Sequence, residues 1–137
     1  MVDKLYELLI KEQIINEQLF DQDYDILLDL RDEEMFDDEW IRVYNELEIL
    51  KKQINEREIS KINQIREKSF MLAYNSTKSS DLASCVSDDF ELIAIALCVN
   101  YNNNWLNALA NQYVLKKFPY GQLIEISNQL NEILFKE

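Results

Sequence analysis

The apolar residues of this chain recur every three or four positions along almost its whole length, a spacing typical of amphipathic α-helices. The first series runs from Leu5 to Leu19 and predicts an N-terminal helix. A short second helix follows, carrying Ile26, Leu27 and Leu30 behind aspartates suited to a helix N-terminus. No segment shows the strict alternation of a half-buried β-strand. The pattern therefore predicts an all-α protein.

A third helix is expected to begin at Asp37, whose carboxylate would cap it. Apolar residues continue from Trp40 to Ile54 with heptad spacing and resume from Ile59 in a shifted phase. Either one long helix changes its buried face at this point, or the chain bends between two helices. Because no Gly or Pro interrupts the segment, we expect one helix over about residues 38–74.

A polar segment at residues 75–80 predicts the clearest loop of the chain. Beyond it, Ser87-Asp88-Asp89 has the composition of a capped helix start with acids in the first turn. Residues 90–99 are apolar almost all round, which is typical of a central buried helix. We therefore expect this helix to begin at about residue 87.

Two further helices are predicted near the C-terminus. Asn103 or Asn104 would cap the first, which ends before the Phe118-Pro119-Tyr120-Gly121 segment. The second carries apolar residues from Leu123 to Leu134 at helical spacing. The prediction is thus a single-domain bundle of about six helices over residues 1–137, with one long central helix.

The composition excludes several kinds of chemistry. The 137 residues contain no histidine, one glycine and two cysteines. Catalytic triads and imidazole metal sites are therefore impossible, and a phosphate-binding loop needs more than one glycine. Aspartates between Asp21 and Asp32 follow part of a calcium-loop pattern, but Ile26 stands where that loop needs glycine. We expect no enzymatic activity, no metal and no cofactor.

Nothing in the sequence indicates export or membrane insertion. The N-terminus lacks the basic and apolar regions of a signal peptide. The longest apolar run, at residues 92–99, has eight residues, whereas a membrane-spanning helix needs about 20. Cys85 and Cys98 each lie in apolar sequence and are expected to be free thiols in a reducing compartment. These features favour a cytoplasmic protein.

The net charge of −12 is concentrated in one part of the chain. Residues 1–50 contain 16 acids and 4 bases, whereas residues 51–137 contain 10 of each. Between Glu17 and Glu39, eleven acids occur with a single base, Arg31. The chain is therefore divided into an acidic segment, residues 17–40, and a neutral helical scaffold, residues 51–137.

Helix capping explains about two acids per helix and leaves most of this cluster unexplained. The remainder form either a solvated face or a surface that attracts a basic partner, and we favour the partner. Aromatic residues lie among the acids, as they do in tight interfaces, although burial in the core is the alternative for them. The predicted partner-binding residues are Asp21, Asp23, Tyr24, Asp25, Asp29, Asp32, Glu33, Glu34, Phe36, Asp37, Asp38, Glu39 and Trp40.

Three segments of the C-terminal half carry a resemblance to a known group of proteins. They are Ser87-Asp88-Asp89-Phe90-Glu91-Leu92-Ile93-Ala94, Trp105-Leu106-Asn107-Ala108-Leu109 and Phe118-Pro119. Together they resemble the small helical immunity proteins of bacterial contact-dependent and other polymorphic toxin systems. The resemblance implies a cytoplasmic antidote that binds one toxin domain, often a basic nuclease, and blocks its active site. It implies no catalytic residues.

The first functional hypothesis is therefore an immunity-type protein that neutralises a basic, nuclease-type toxin domain. An alternative is a nucleic-acid mimic that inhibits a restriction or CRISPR nuclease with carboxylates in place of phosphates. A second alternative is a helical adaptor, in which the apolar seam from Trp40 to Ile54 pairs with another helix. The acidic balance argues against direct binding to nucleic acid or anionic membranes, and we expect a monomer or a weak dimer.

Overall fold

A computed structural model describes residues 1–135. Within them the chain forms seven α-helices and two short 3₁₀ helices, at Glu17–Phe20 and Lys51–Gln53, and no β-strand. The α-helices are α1 (Val2–Ile10), α2 (Tyr24–Arg31), α3 (Glu34–Leu50), α4 (Glu56–Thr77), α5 (Ser80–Val99), α6 (Asn104–Val114) and α7 (Leu130–Leu134). The predicted all-α, single-domain bundle is confirmed. Lys136 and Glu137, which belong to the predicted scaffold, lie outside the described residues.

Helices α4 and α5 form a tight hairpin that is the centre of the bundle. Only Lys78 and Ser79 separate the two helices, and Lys78 adopts left-handed backbone angles with φ of 57°. Ser79 caps α5 by accepting a hydrogen bond from the Leu82 amide at 3.2 Å. Thr77 Oγ1 accepts one from the Ser79 amide at 3.0 Å, which holds the turn. The predicted loop at 75–80 is therefore too long, because α4 continues through Thr77.

Helix α5 is the central buried helix, as its apolar composition predicts. Between Phe90 and Leu97 every residue except Glu91 is buried. The prediction that this helix begins near residue 87 is wrong, since α5 starts at Ser80 and Ser87 to Asp89 lie in its interior. Ser87 Oγ donates a hydrogen bond to the Arg66 carbonyl of α4 at 3.0 Å, so it stabilises helix packing.

The predicted long helix over residues 38–74 is also wrong, because the chain bends between α3 and α4. After the 3₁₀ turn that follows Leu50, Ile54 is extended, with φ of −85° and ψ of 135°. Asn55 then caps α4, and its Oδ1 accepts a hydrogen bond from the Glu58 amide at 2.9 Å. The bend lets both helices bury their apolar sides against α5, which explains the shift of phase in the sequence.

The first half of the chain departs from prediction at two helix boundaries. Helix α1 ends at Ile10, and Glu12 has a positive φ of 54°, so the predicted helix to Leu19 stops early. Helix α3 begins at Glu34 rather than at Asp37. By contrast, α2 forms where predicted, and Asp23 caps it.

Helix α6 is capped by Asn103, one of the two predicted caps, whose side chain accepts from the Leu106 amide at 2.9 Å. Residues 115–129, which we call the strap, then run back along α6 without regular structure. Asn107 Nδ2 donates to the Ile126 carbonyl at 3.1 Å and fixes the strap to α6. The last predicted helix is therefore correct only for Leu130–Leu134.

Candidate functional site

Arg31 is the only base among residues 17–39, and it lies inside the protein rather than on the surface. Its side chain is 8% exposed and forms a two-pronged ion pair with Asp89 of α5. Arg31 Nη1 lies 2.7 Å from Asp89 Oδ2, and Nη2 lies 2.8 Å from Oδ1. Nη1 also donates to the Pro119 carbonyl of the strap at 3.2 Å. The positive charge of Arg31 is thus neutralised by Asp89 inside the protein.

The Asp89 carboxylate is fully buried and accepts four hydrogen bonds from three helices. Besides the two from Arg31 of α2, Trp40 Nε1 of α3 donates to Oδ1 at 2.8 Å. The Tyr113 hydroxyl of α6 donates to Oδ2. Buried carboxylates need such full pairing, because an unpaired charge is costly in a low-dielectric interior. Asp89 therefore connects both helices of the acidic segment to the scaffold.

The surroundings hold this network in one protonation state. Burial is the largest single influence on the pKa of Arg31 and lowers it, but the charge of Asp89 and the hydrogen bonds to its carboxylate, with smaller contributions from Tyr113 and Cys85, together outweigh burial and raise the pKa above its usual value. Burial, followed by the charge of Asp89, raises the pKa of Tyr113 well above its usual range. The guanidinium also lies over two aromatic rings, with Cζ 4.4 Å from the centroid of Phe36 and 5.2 Å from that of Phe118. Arg31 therefore stays charged and Tyr113 stays protonated near neutral pH.

Because Arg31 faces inward, the outer surface of the acidic segment has no base of its own. Nine of the predicted carboxylates are exposed, and none of the nine forms an ion pair within residues 1–135. Glu39 differs, since it is partly buried and pairs with Arg42. We call the nine the acidic surface: Asp21, Asp23, Asp25, Asp29, Asp32, Glu33, Glu34, Asp37 and Asp38.

The aromatic residues predicted as partner anchors lie mainly in the core. Phe36 is 2% exposed and packs edge-on against Trp105, with ring centroids 5.3 Å apart. Trp40 is partly buried and bonded to Asp89, and Tyr24 is also partly buried. The position of Phe36 therefore does not agree with the expectation that it contacts a partner. It agrees with the alternative, in which Phe36 packs in the core.

Two exposed aliphatic residues lie among the carboxylates instead. Ile26 is 53% exposed and Met35 is 55% exposed. The sequence places Met35 among the carboxylates beside the predicted aromatic anchors, whereas Ile26 is not among the residues that the sequence singles out. Ile26 precedes Asp29 by three positions in α2, so the two lie on the same side of the helix, and this spacing was the available signal. The surface thus combines uncompensated carboxylates with accessible apolar side chains.

Most of this chain matches a known protein family. The family model described as Immunity protein PIM1 matches residues 4–120. The chain belongs to this family. No curated protein matches the sequence.

The PIM1 match includes all the residues of the Asp89 network and the whole acidic surface. Within residues 1–135, no three Cys, Asp or Glu side chains are grouped so as to hold a metal ion. In the same range, no helix has both the length and the apolar character needed to cross a bilayer. The nine exposed carboxylates of this PIM1 protein are spread over one surface.

Proposed function

We propose that this PIM1-family protein is a non-catalytic inhibitor that binds a cognate toxin domain through the acidic surface. The toxin domain is basic and of nuclease type. The observation that carries the proposal is the inward position of Arg31, which leaves nine exposed carboxylates without a compensating base. Charges in this arrangement repel one another in the free protein, and a basic partner relieves that repulsion.

The chemistry of nucleases supports this choice of partner. A domain that binds nucleic acid places Lys and Arg side chains against phosphates. The same basic surface is attracted by clustered carboxylates, which accelerate encounter and favour partners of complementary charge. An inhibitor bound there would cover the surface that the nuclease uses for its substrate.

The exposed side chains of Ile26 and Met35 add an apolar component to the acidic surface. Interfaces combine a desolvated centre with a polar rim, and Met is enriched in them. We expect these residues to be buried in the complex while the carboxylates govern association. The acidic surface then fits a protein partner better than a small ion.

We place the protein in the cytoplasm and expect it to act as a monomer or a weak dimer. Cys85 and Cys98 are both free thiols in the structure, which is consistent with a reducing compartment. A single copy presents the whole acidic surface, so one protein is sufficient to bind one toxin domain.

The test uses the toxin domain encoded beside this gene. Co-expression with the protein should restore growth to cells that produce the toxin. A variant with Asp23→Asn, Asp29→Asn, Glu33→Gln and Asp37→Asn should associate about tenfold more slowly at low salt. The Asn at position 23 keeps the capping ability of that residue, so α2 is preserved. Stopped-flow fluorescence at several salt concentrations measures the association rate.

A matched control removes four exposed carboxylates from outside the acidic segment. The variant carries Glu7→Gln, Glu12→Gln, Glu67→Gln and Asp81→Asn, and it has the same net charge as the test variant. It should associate within about twofold of the natural rate, because steering depends on where the charge lies. Equal slowing of both variants would contradict the proposed surface, and failure to restore growth would contradict the proposed function.

A further inference from the structure

A cleft of about 300 Å³ lies between the start of α3 and the strap, beside the acidic surface. Its lining residues come from α3, α6 and the strap: Met35, Glu39, Trp105, Gln122, Leu123 and Glu125. Ligand pockets have volumes of about 300–1,000 Å³, so this cleft is at the lower end of the range and has room for one long side chain. Two of its residues are acidic and none is basic.

The charge of the cleft comes chiefly from Glu125, an acid of the predicted neutral scaffold. Glu125 is exposed and forms no ion pair within the described part of the chain. Glu39 is partly neutralised by Arg42, which also binds Glu46 at 3.2 Å. The cleft therefore holds an uncompensated negative charge on the strap side.

The walls between these carboxylates are apolar. Met35 is 55% exposed, Leu123 is half-buried, and Trp105 is 3% exposed at the base. A carboxylate at the edge of an apolar wall matches a side chain with a long aliphatic stem and a cationic end. Arginine combines both features, because its stem packs on apolar surface and its planar guanidinium binds carboxylates through two parallel hydrogen bonds.

We propose that this cleft receives an arginine side chain of the toxin, with Glu125 as its principal carboxylate partner. The proposal rests on the proposed function and extends the interface from the acidic segment to the strap. Arginine is enriched among the residues that dominate interface energies. Within this same protein, Arg31 already shows how a guanidinium is bound by a carboxylate among aromatic and apolar groups.

The cavity on the other side of Leu123 provides a contrast. It has a volume of about 470 Å³ and is lined by Lys116 and Lys117, with Asp21 as its one acid. These lysines would repel an arginine, so charge complementarity assigns the cationic side chain to the Glu125 cleft. Glu125 and Leu123 also lie beyond residue 120, where the PIM1 match ends. Part of the cleft thus comes from a segment that the family model does not cover.

The test titrates N-acetyl-arginine methylamide into the ¹⁵N-labelled protein and follows NMR chemical shifts. The Trp105 indole and the Leu123 and Glu125 amides should shift, and the citrulline counterpart, which is uncharged and of similar shape, should move them little. Glu125→Gln should weaken the affinity about threefold, as expected for an exposed ion pair. Asp29→Asn removes the same charge from α2, outside the cleft, and should leave the affinity almost unchanged.

Equal weakening by the two variants, equal binding of citrulline, or shifts confined to residues 21–38 would each overturn the cleft proposal. Those results would leave the proposed function standing, because growth rescue and salt-dependent association test it separately. Arginine binding in the cleft without neutralisation of the toxin would contradict the proposed function and the toxin as the source of the arginine, while the cleft would still be an arginine-binding site. Met35→Ala provides a second check, since loss of the exposed apolar wall should weaken arginine binding while the charge is unchanged.

Discussion

Substitution of Asp89 should strongly reduce the stability of the protein. Asp89→Asn leaves the Arg31 guanidinium buried without its anion, and breaking a buried pair from one side costs about 3–5 kcal/mol. Urea denaturation measures the free energy of unfolding. Tyr113→Phe is the control, because it removes one hydrogen bond to the same carboxylate and should cost about 1 kcal/mol. Equal losses in the two variants would show that the ion pair contributes little.

The two thiols predict a loss of stability at alkaline pH. Burial raises the pKa of Cys85 to about 11 and that of Cys98 to about 12. An unfolded thiol titrates near about 8.5, so the folded protein holds these protons more tightly. The resulting stabilisation is complete below about pH 8.5 and is lost as the pH rises towards about 11. Urea denaturation at several pH values should show this decline, and Cys85→Ala should make it shallower. A free energy of unfolding that is constant to pH 10 would contradict it.

Asp89 also shows where local sequence stops being informative. Ser87-Asp88-Asp89 has the composition of a helix start, and this composition predicts one there. Yet the partners of Asp89 are 58, 49 and 24 positions away in the chain, at Arg31, Trp40 and Tyr113. A buried aspartate and a capping aspartate look the same in a short window, because only the tertiary contacts distinguish them. For the same reason the inward position of Arg31 could not be predicted.

At the scale of helices and turns, the bend before α4 depends on Asn55. Its side chain accepts a hydrogen bond from the Glu58 amide at the start of the helix. Asn55→Ala should therefore lower the free energy of unfolding by about 1 kcal/mol, the usual value of an N-cap. Asn63→Ala is the matched control, since Asn63 is exposed in the interior of α4 and alanine has the higher helix propensity there. Thermal denaturation of the two variants compares them, and an equal effect would mean that the cap does not hold the bend.

The sequence contained the signal for this bend. The apolar phase shifts after Ile54, and Asn55 is followed three positions later by Glu58, a combination seen at helix starts. The absence of Gly and Pro outweighed both signals in the prediction and was misleading. The strap is a different case, since Leu123 and Ile126 have helical spacing, but their segment is held in place by Asn107 of α6. That contact joins residues 19 positions apart, so the spacing of apolar residues within the segment does not indicate it.

For the whole molecule, counting acids and bases along the sequence locates the acidic segment but underestimates the negative charge on its surface. Counting Arg31 as a surface base gives residues 17–39 a net charge of −10, from eleven acids and one base. In the structure, Arg31 is buried and therefore adds no positive charge to the surface. The fold also adds Glu125 from the neutral half to a cleft beside the acidic surface. Charge per segment can be read from the sequence, whereas the side of the protein on which each charge lies depends on the fold.

The uncompensated acidic surface predicts that salt stabilises the free protein. Three pairs of acids lie three or four positions apart within one helix, namely Asp25 with Asp29, and Glu34 with both Asp37 and Asp38. Each like-charge pair of this kind costs about 0.2–0.5 kcal/mol, which gives about 1 kcal/mol together. Raising the ionic strength from about 0.01 M to about 0.15 M shortens the screening length from about 30 Å to about 8 Å. Neighbouring helix positions lie about 6 Å apart, within the screening length even at the higher salt, so only part of the repulsion is removed. The free energy of unfolding should therefore rise by about 0.5 kcal/mol over this range, as measured by urea denaturation.

The exposed ion pairs act in the opposite direction, because salt weakens them. Arg42 is exposed and forms ion pairs with Glu39 and Glu46, and each such pair contributes little to the free energy of unfolding. Repulsion between the carboxylates of the acidic surface should therefore dominate the response to salt. The variant with amides at positions 23, 29, 33 and 37 distinguishes the two contributions. It retains these ion pairs but loses much of the repulsion, so most of the gain in stability with salt should disappear. If the natural protein instead loses stability as salt is added, its carboxylates are compensated, and the acidic surface lacks the unopposed field that the proposed function requires.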